Sequence, residues 1–196
     1  MTSAAERYDK RMPRPASTSD RILVAYEDLL IEVGERGATL DAVASRAGVS
    51  KGGLLYHFGS KDALSAGLVE RLRGLTEADL FLMKAAPAGP VDYLIRTSID
   101  AASQLDRSLI ATSRLAQAAD ARASEALATI RTSWLTLITD AVGDPAVARA
   151  IVLVSDGLYF NSAMLGMGTP DPADVSPEGI ESLLTVLARF STPSAG

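Results

Sequence analysis

The stretch TLDAVASRAGVSKGGLLYHF, Thr39 to Phe58, decides how this chain is read. It sets two short helical segments around Gly48-Val49-Ser50, the spacing of a helix-turn-helix. Thr39 is a good N-cap for the first segment, whose Leu40, Val43, Ala44 and Ala47 can face inward. Gly48 supplies the tight turn, Val49 is the apolar residue that such a turn buries, and Ala44 is small enough to let the two helices approach. In units of this kind the second helix lies in the major groove with its N-terminal residues at base edges. Here that helix begins Ser50-Lys51-Gly52-Gly53. Two consecutive glycines cost about 1 kcal/mol each relative to alanine, so stability alone would not choose them. Without side chains they let the backbone come close to DNA and leave Ser50 and Lys51 as phosphate ligands or base-edge donors. The plain alternative is a poorly started helix.

Outward from this segment the pattern stays helical. From Asp20, the residues Ile22, Tyr26, Leu29, Leu30 and Val33 recur at helical spacing until Gly34 and Gly37 end the run. Residues 1–18, with Pro13 and Pro15 and no hydrophobic period, read as a flexible tail. Its Arg7, Lys10, Arg11 and Arg14 have the alternative of reaching into a minor groove. After Gly59, Ser60 caps a long fourth helix carrying Ala63, Leu64, Leu68, Leu72 and Leu75, with Asp62 suited to the helix dipole. The segment 85–90 breaks the period, and Pro90 opens a fifth helix expected to run to about Asp106. Helical stretches follow at 108–118 and 121–141, then an eighth helix from Asp144-Pro145 to Leu165, and after a loop at 166–175 a ninth from Ser176-Pro177 to near Phe190. No alternating β pattern of useful length appears. The expectation is an all-α fold of about nine helices: a tail (1–18), a three-helix head (19–62) and a larger helical body (63–196) for ligand binding and dimerisation.

Composition narrows the chemistry. Of 196 residues, 47% are apolar and only 5% aromatic, so the core must be built mainly from Ala, Leu, Val and Ile. With no Cys and one His there is no material for disulfides, thiolate zinc sites or cysteine nucleophiles, and no cofactor, metal or catalytic set is expected. No run approaches the length of a membrane span, and the chain reads as cytoplasmic. Residues 1–62 hold nine Lys/Arg against nine Asp/Glu, whereas residues 63–196 hold ten against fifteen. The excess acid thus lies in the body, and DNA contact is confined to the first third.

Residues 21–72 closely resemble the DNA-binding head of the tetracycline-repressor (TetR/AcrR) family of bacterial regulators. The resemblance rests on Arg21 to Leu30, Thr39, Val43-Ala44, Ala47 to Gly52, Leu54, Tyr56-His57-Phe58 and Ser60 to Leu64. It implies backbone contacts from Thr39, Ser50, Tyr56, His57 and Lys61, and base-edge contacts around Lys51, Gly52 and Gly53. Where the family commonly reads Leu-Tyr-x-His-Phe, this chain has Leu54-Leu55-Tyr56-His57-Phe58, so a tyrosine that often touches phosphate is Leu55 here. Asp41 is read as complementing the helix dipole, with repulsion of a phosphate as the alternative. A lone histidine is more often a packing residue; its place in the motif makes His57 a phosphate contact.

A head with little net positive charge gains from dimerising, because two recognition helices then meet successive grooves about 34 Å apart. The last two helices, Val147–Leu165 and Ile180–Phe190, are expected to form a homodimer interface as a four-helix bundle, which the resemblance also implies; burial within the monomer is the alternative. Helices four to seven could enclose an effector cavity. Its expected walls are Tyr93, Trp134, Tyr159 and Met164, with Phe81, Met83 and Phe160, while Gln104, Ser133 and Asn161 would orient the ligand. Asp156, interrupting an apolar run, is read as a capping or dimer-contact residue, with a cationic or hydroxylated effector as the alternative. The expected function is a ligand-responsive regulator, most often a repressor in this family. It would bind a pseudo-palindromic double-stranded operator as a dimer and be released by a mostly apolar small molecule. A DNA-binding module without ligand control, or a helical carrier or enzyme with a non-functional head, is the rival.

Overall fold

The computed structural model describes residues 17–99, 103–161 and 176–191. Arg7, Lys10, Arg11, Arg14, Met164 and the 166–175 loop lie outside them. Among the described residues there are nine α-helices and no strand: α1 (Thr18–Gly37), α2 (Leu40–Ala47), α3 (Lys51–His57), α4 (Lys61–Ala85), α5 (Pro90–Thr97), α6 (Gln104–Gln117), α7 (Ala121–Val142), α8 (Pro145–Tyr159) and α9 (Pro177–Ser191). The chain divides into two compact units between Leu64 and Ser65. No described helix is long and apolar enough to cross a membrane.

In the first unit, α1 packs on α2 and α2 on α3. Ile22, Tyr26, Leu30, Val43 and Leu54 are fully buried, and Phe58 and Leu64 complete this small core. Helix α1 starts two residues earlier than its hydrophobic period suggests. Ser17 accepts from the Asp20 N–H at 3.0 Å and the Asp20 carboxylate accepts from the Ser17 N–H at 3.2 Å, a reciprocal cap closed by Asp where Glu or Gln is usual. At the other end the helix kinks at Gly34, whose φ of 73° no β-carbon would favour. Val33, which continues the helical spacing of the core residues, is exposed in the last turn before the kink. Arg46 of α2 forks onto Glu32 of α1, its Nη2 lying 2.7 Å from Oε2, which fixes the α2 register on α1.

In the second unit, Leu94, Ile95, Ile138, Ile151, Val152, Ile180 and Leu187 form the main core around Met83. A second layer, Ala111, Leu115, Ala123, Ala126 and Ile130, fills the contact of α6 with α7. The expected fifth helix, from Pro90 to about Asp106, stops short, and the next begins before the expected 108. Helix α5 ends at Thr97, and Ser103 with Asp106 forms another reciprocal Ser-x-x-Asp cap that starts α6 at Gln104. Arg96 joins α5 to α9 by bonding both Asp92, at 2.9 Å, and Glu181.

Candidate nucleic-acid interface and effector cavity

Each residue of the turn has a local physical reason for its position. Thr39 caps α2 by accepting from the Ala42 N–H at 3.2 Å. Gly48 ends that helix in the left-handed region, φ 66° and ψ 37°, where an L side chain is strained. Ser50 caps α3 by accepting from the Gly53 N–H at 3.0 Å. A β-carbon at Gly53 would lie 3.3 Å from that same Ser50 oxygen, whereas one at Gly52 would stand in open space apart from Ser50 at 4.0 Å. Gly53 therefore keeps the cap intact, while Gly52 is free to meet a partner from outside.

Leu54 and Phe58 anchor α3 from below, and the opposite face is bare. Tyr56 is 87% exposed and Leu55 39% exposed. The exposed His57 ring meets the Tyr56 ring edge-on at 5.3 Å. Thr39, Ser50, Lys51 and Gly52 are exposed as well. Leu55, Tyr56 and His57 thus leave a run of apolar and aromatic side chains in water at the end of α3.

Two cations of this region are engaged. Lys51 lies 3.0 Å from Asp41, so Asp41 is more than a dipole complement: its carboxylate holds the first side chain of α3. Lys61, expected at a phosphate, binds the Glu35 carboxylate at 2.7 Å and donates to the Glu35 carbonyl. It joins the start of α4 to the end of α1.

Within the second unit, α4 to α8 line a partly open cavity of about 440 Å³. Tyr93, Gln104, Trp134 and Tyr159 line it, and so does Asp156. Asn161 and Phe160 are exposed and do not line it, since the helix turns both residues outward at the end of α8. Met83 is wholly buried in the core instead, and Phe81 and Ser133 face a separate, more open groove along α4 and α7. Asp156 is exposed and pairs with Arg131 at 2.6 Å, so it is neither a buried charge nor a cap.

The residue that organises the cavity is one the hydrophobic pattern passes over. Asp79 accepts from the Tyr93 hydroxyl at 2.9 Å on one oxygen and from the Trp134 indole N–H at 3.1 Å on the other. Burial pushes its carboxyl above the ordinary value, and the two donors pull against that shift. The Tyr93 hydroxyl is pushed up by its own burial and then by Asp79. Tyr159 donates to the Asp106 carbonyl at 3.2 Å, and its hydroxyl is raised by burial and by the Asp106 charge. The signal for Asp79 is present in the sequence as Leu75, Asp79 and Leu82, an acid at helical spacing inside an apolar stripe.

Comparison with known proteins covers both units. Residues 22–68 match the bacterial regulatory proteins of the tetR family, and residues 91–186 match the tetracyclin repressor-like C-terminal domain. The HTH-type transcriptional regulator RutR of Escherichia coli (strain K12) is 32% identical over 103 residues, covering 51% of this chain and 49% of RutR. The chain thus spans about half the length of the curated relatives it matches. Among solved structures, NalD of Pseudomonas aeruginosa, the secondary repressor of the MexAB-OprM multidrug efflux pump, superposes with a TM-score of 0.62 at 20% identity, over 94% of this chain and 96% of NalD. The multidrug binding protein EbrR complexed with malachite green gives 0.62 at 23% identity, over 89% and 98% of the two chains. With both its helix-turn-helix and its C-terminal helices matched, the chain belongs to the TetR family of bacterial regulatory proteins.

Proposed function

We propose that this protein is a transcriptional regulator that binds a two-fold-symmetric operator as a homodimer and releases it when a small molecule fills the α4–α8 cavity. The observation that carries the reading is the bare face of α3. Its capped N-terminus with Lys51 and Gly52, and the exposed Tyr56 and His57, stand over buried Leu54 and Phe58. On this reading Thr39, Ser50, Tyr56 and His57 take phosphates, Lys51, Gly52 and Gly53 meet base edges, and Lys61 positions the helices rather than the DNA. NalD is a repressor and EbrR a multidrug binding protein, and their likeness to this chain supports repression and effector binding as the mode of action.

The homodimer would use the outward faces of α8 and α9. Ile151, Val152, Ile180 and Leu187 are already spent in the monomer's core, but Leu153 is 57% exposed and Phe190 62%, with Val186 exposed as well. Surface of that kind on the last two helices suits a self-complementary two-fold contact. The effector acts by differential affinity: it binds the conformation in which paired heads miss successive grooves, and it shifts the population by that difference.

Selection of bound duplexes from a random pool by the purified protein tests the reading, with Lys51→Ala and Tyr56→Ala in parallel. An enriched palindrome, weakened by either change, is the expected result. A folded protein that enriches no sequence at low salt overturns it.

A further inference from the structure

We propose that the Asp79–Tyr93–Trp134 corner is a selective binding site for a protonated amine, so that the effector is an amphipathic organic cation. The inference rests on reading this cavity as the effector site. Three carboxylates line the cavity: Asp79, Asp106 and Asp156. Two of them are occupied by other work. Asp106 holds the α6 cap through the Ser103 N–H and hydroxyl, and Asp156 carries the Arg131 guanidinium. Asp79 differs, since its two bonds come from uncharged donors and, among the described residues, no Lys, Arg or His lines the cavity.

Each carboxylate oxygen accepts two hydrogen bonds, so one donor apiece leaves acceptor capacity on both oxygens. An anion removed from water without a counter-charge favours a ligand that supplies one. Most of the remaining polar side chains are engaged with other groups: Gln104 accepts from Arg71 at 3.2 Å. Ser98 and Ser155 bond each other at 2.7 Å, Ser113 donates to the Leu109 carbonyl, and Thr97 donates to the Tyr93 carbonyl. Leu75, Leu82, Leu105 and Leu109 supply the apolar wall for the rest of the molecule.

Trp134 is the only tryptophan in the chain, so its fluorescence reports this corner alone. The test titrates the full chain with octylamine, octanol, octanoate and the neutral N-octylacetamide, which share one apolar tail. Octylamine should bind at least about tenfold more tightly than the two neutral probes, and octanoate most weakly. In Asp79→Asn, whose fold is checked by circular dichroism, the amine preference should vanish while octanol affinity stays within about threefold. Equal affinity of amine and neutral probes in the wild-type protein overturns the proposal, and so does an amine preference that survives Asp79→Asn. The wild-type contrast decides the question even where the variant does not fold. Octylamine that binds selectively yet leaves duplex affinity unchanged supports the site and counts against regulation. A non-basic compound that releases the duplex, with octylamine no better than octanol, sinks the amine site and leaves the regulator standing.

Discussion

Removing the Asp41 carboxylate should tighten DNA binding. Lys51 opens the recognition helix, and its ammonium lies 3.0 Å from Asp41 with both side chains largely in water. At that separation two unit charges attract by about 1.4 kcal/mol in bulk water. Screening and the cost of holding two long side chains bring an exposed pair below about 1 kcal/mol. Lys51 must give up that contact to reach a phosphate or a guanine edge, and Asp41 must then stay close to the backbone it repels. Asp41→Asn should therefore raise affinity about two- to fivefold per head, and by the product of the two factors when a dimer fills both half-sites. Fluorescence anisotropy on the selected duplex measures this, with Lys51→Ala and the double variant completing a cycle. Unchanged or lowered affinity in Asp41→Asn would refute the proposed competition. So would the same gain in the Lys51→Ala background, because Asp41 would then not act through Lys51.

Other consequences can be checked separately. Gly48→Ala places a methyl in open space but at φ 66°, so the cost is backbone strain alone, about 1–2 kcal/mol of stability by urea unfolding; an unchanged midpoint would contradict the left-handed turn. Amine affinity should depend on pH through Asp79, whose carboxyl sits above the ordinary 3.8 because it is buried. The ammonium needs the ionised carboxylate, so affinity, full at neutral pH, falls as pH drops through the raised value. Asp106, Tyr159 and Asp156, the last paired with Arg131 from outside the lining, share the cavity with Asp79, so Asp79→Asn is the control that must flatten the profile. Leu153→Asp with Phe190→Asp puts charge on the exposed faces of α8 and α9 and should yield a folded monomer in sedimentation; a dimer of unchanged strength moves the interface elsewhere. Tyr159→Phe removes the bond to the Asp106 carbonyl and should cost about 0.5–1.5 kcal/mol in thermal unfolding, and no loss would make that contact incidental.

What can be read from residues alone follows the range of the forces involved. Gly48, Thr39 and Ser50 act within four positions of themselves, and the turn they make is legible without any tertiary knowledge. The two Ser-x-x-Asp caps are equally local, yet a reading tuned to the usual Glu or Gln passes over them. The cost is two residues at the start of α1 and a boundary between α5 and α6 set near Asp106, when α5 ends at Thr97 and α6 begins at Gln104. Asp79 is different in kind. Its stripe position can be counted, but its partners stand fourteen and fifty-five residues away, and only the packing of α4, α5 and α7 brings them together. Asn161 is misplaced for the same reason, since helical spacing alone does not say where the wall of a cavity stops.

The bareness of Leu55 and Tyr56 also has a calorimetric consequence. Apolar surface left in water raises heat capacity, and covering it lowers heat capacity, whereas the release of counterions from phosphates does not carry that mark. If α3 seats these two side chains against the duplex, the binding enthalpy should grow more favourable with each degree of warming. The slope should shrink in Tyr56→Ser, a variant that removes exposed ring and leaves the buried Leu54 and Phe58 anchors in place. Temperature thereby separates what the head gains by shape from what it gains by charge.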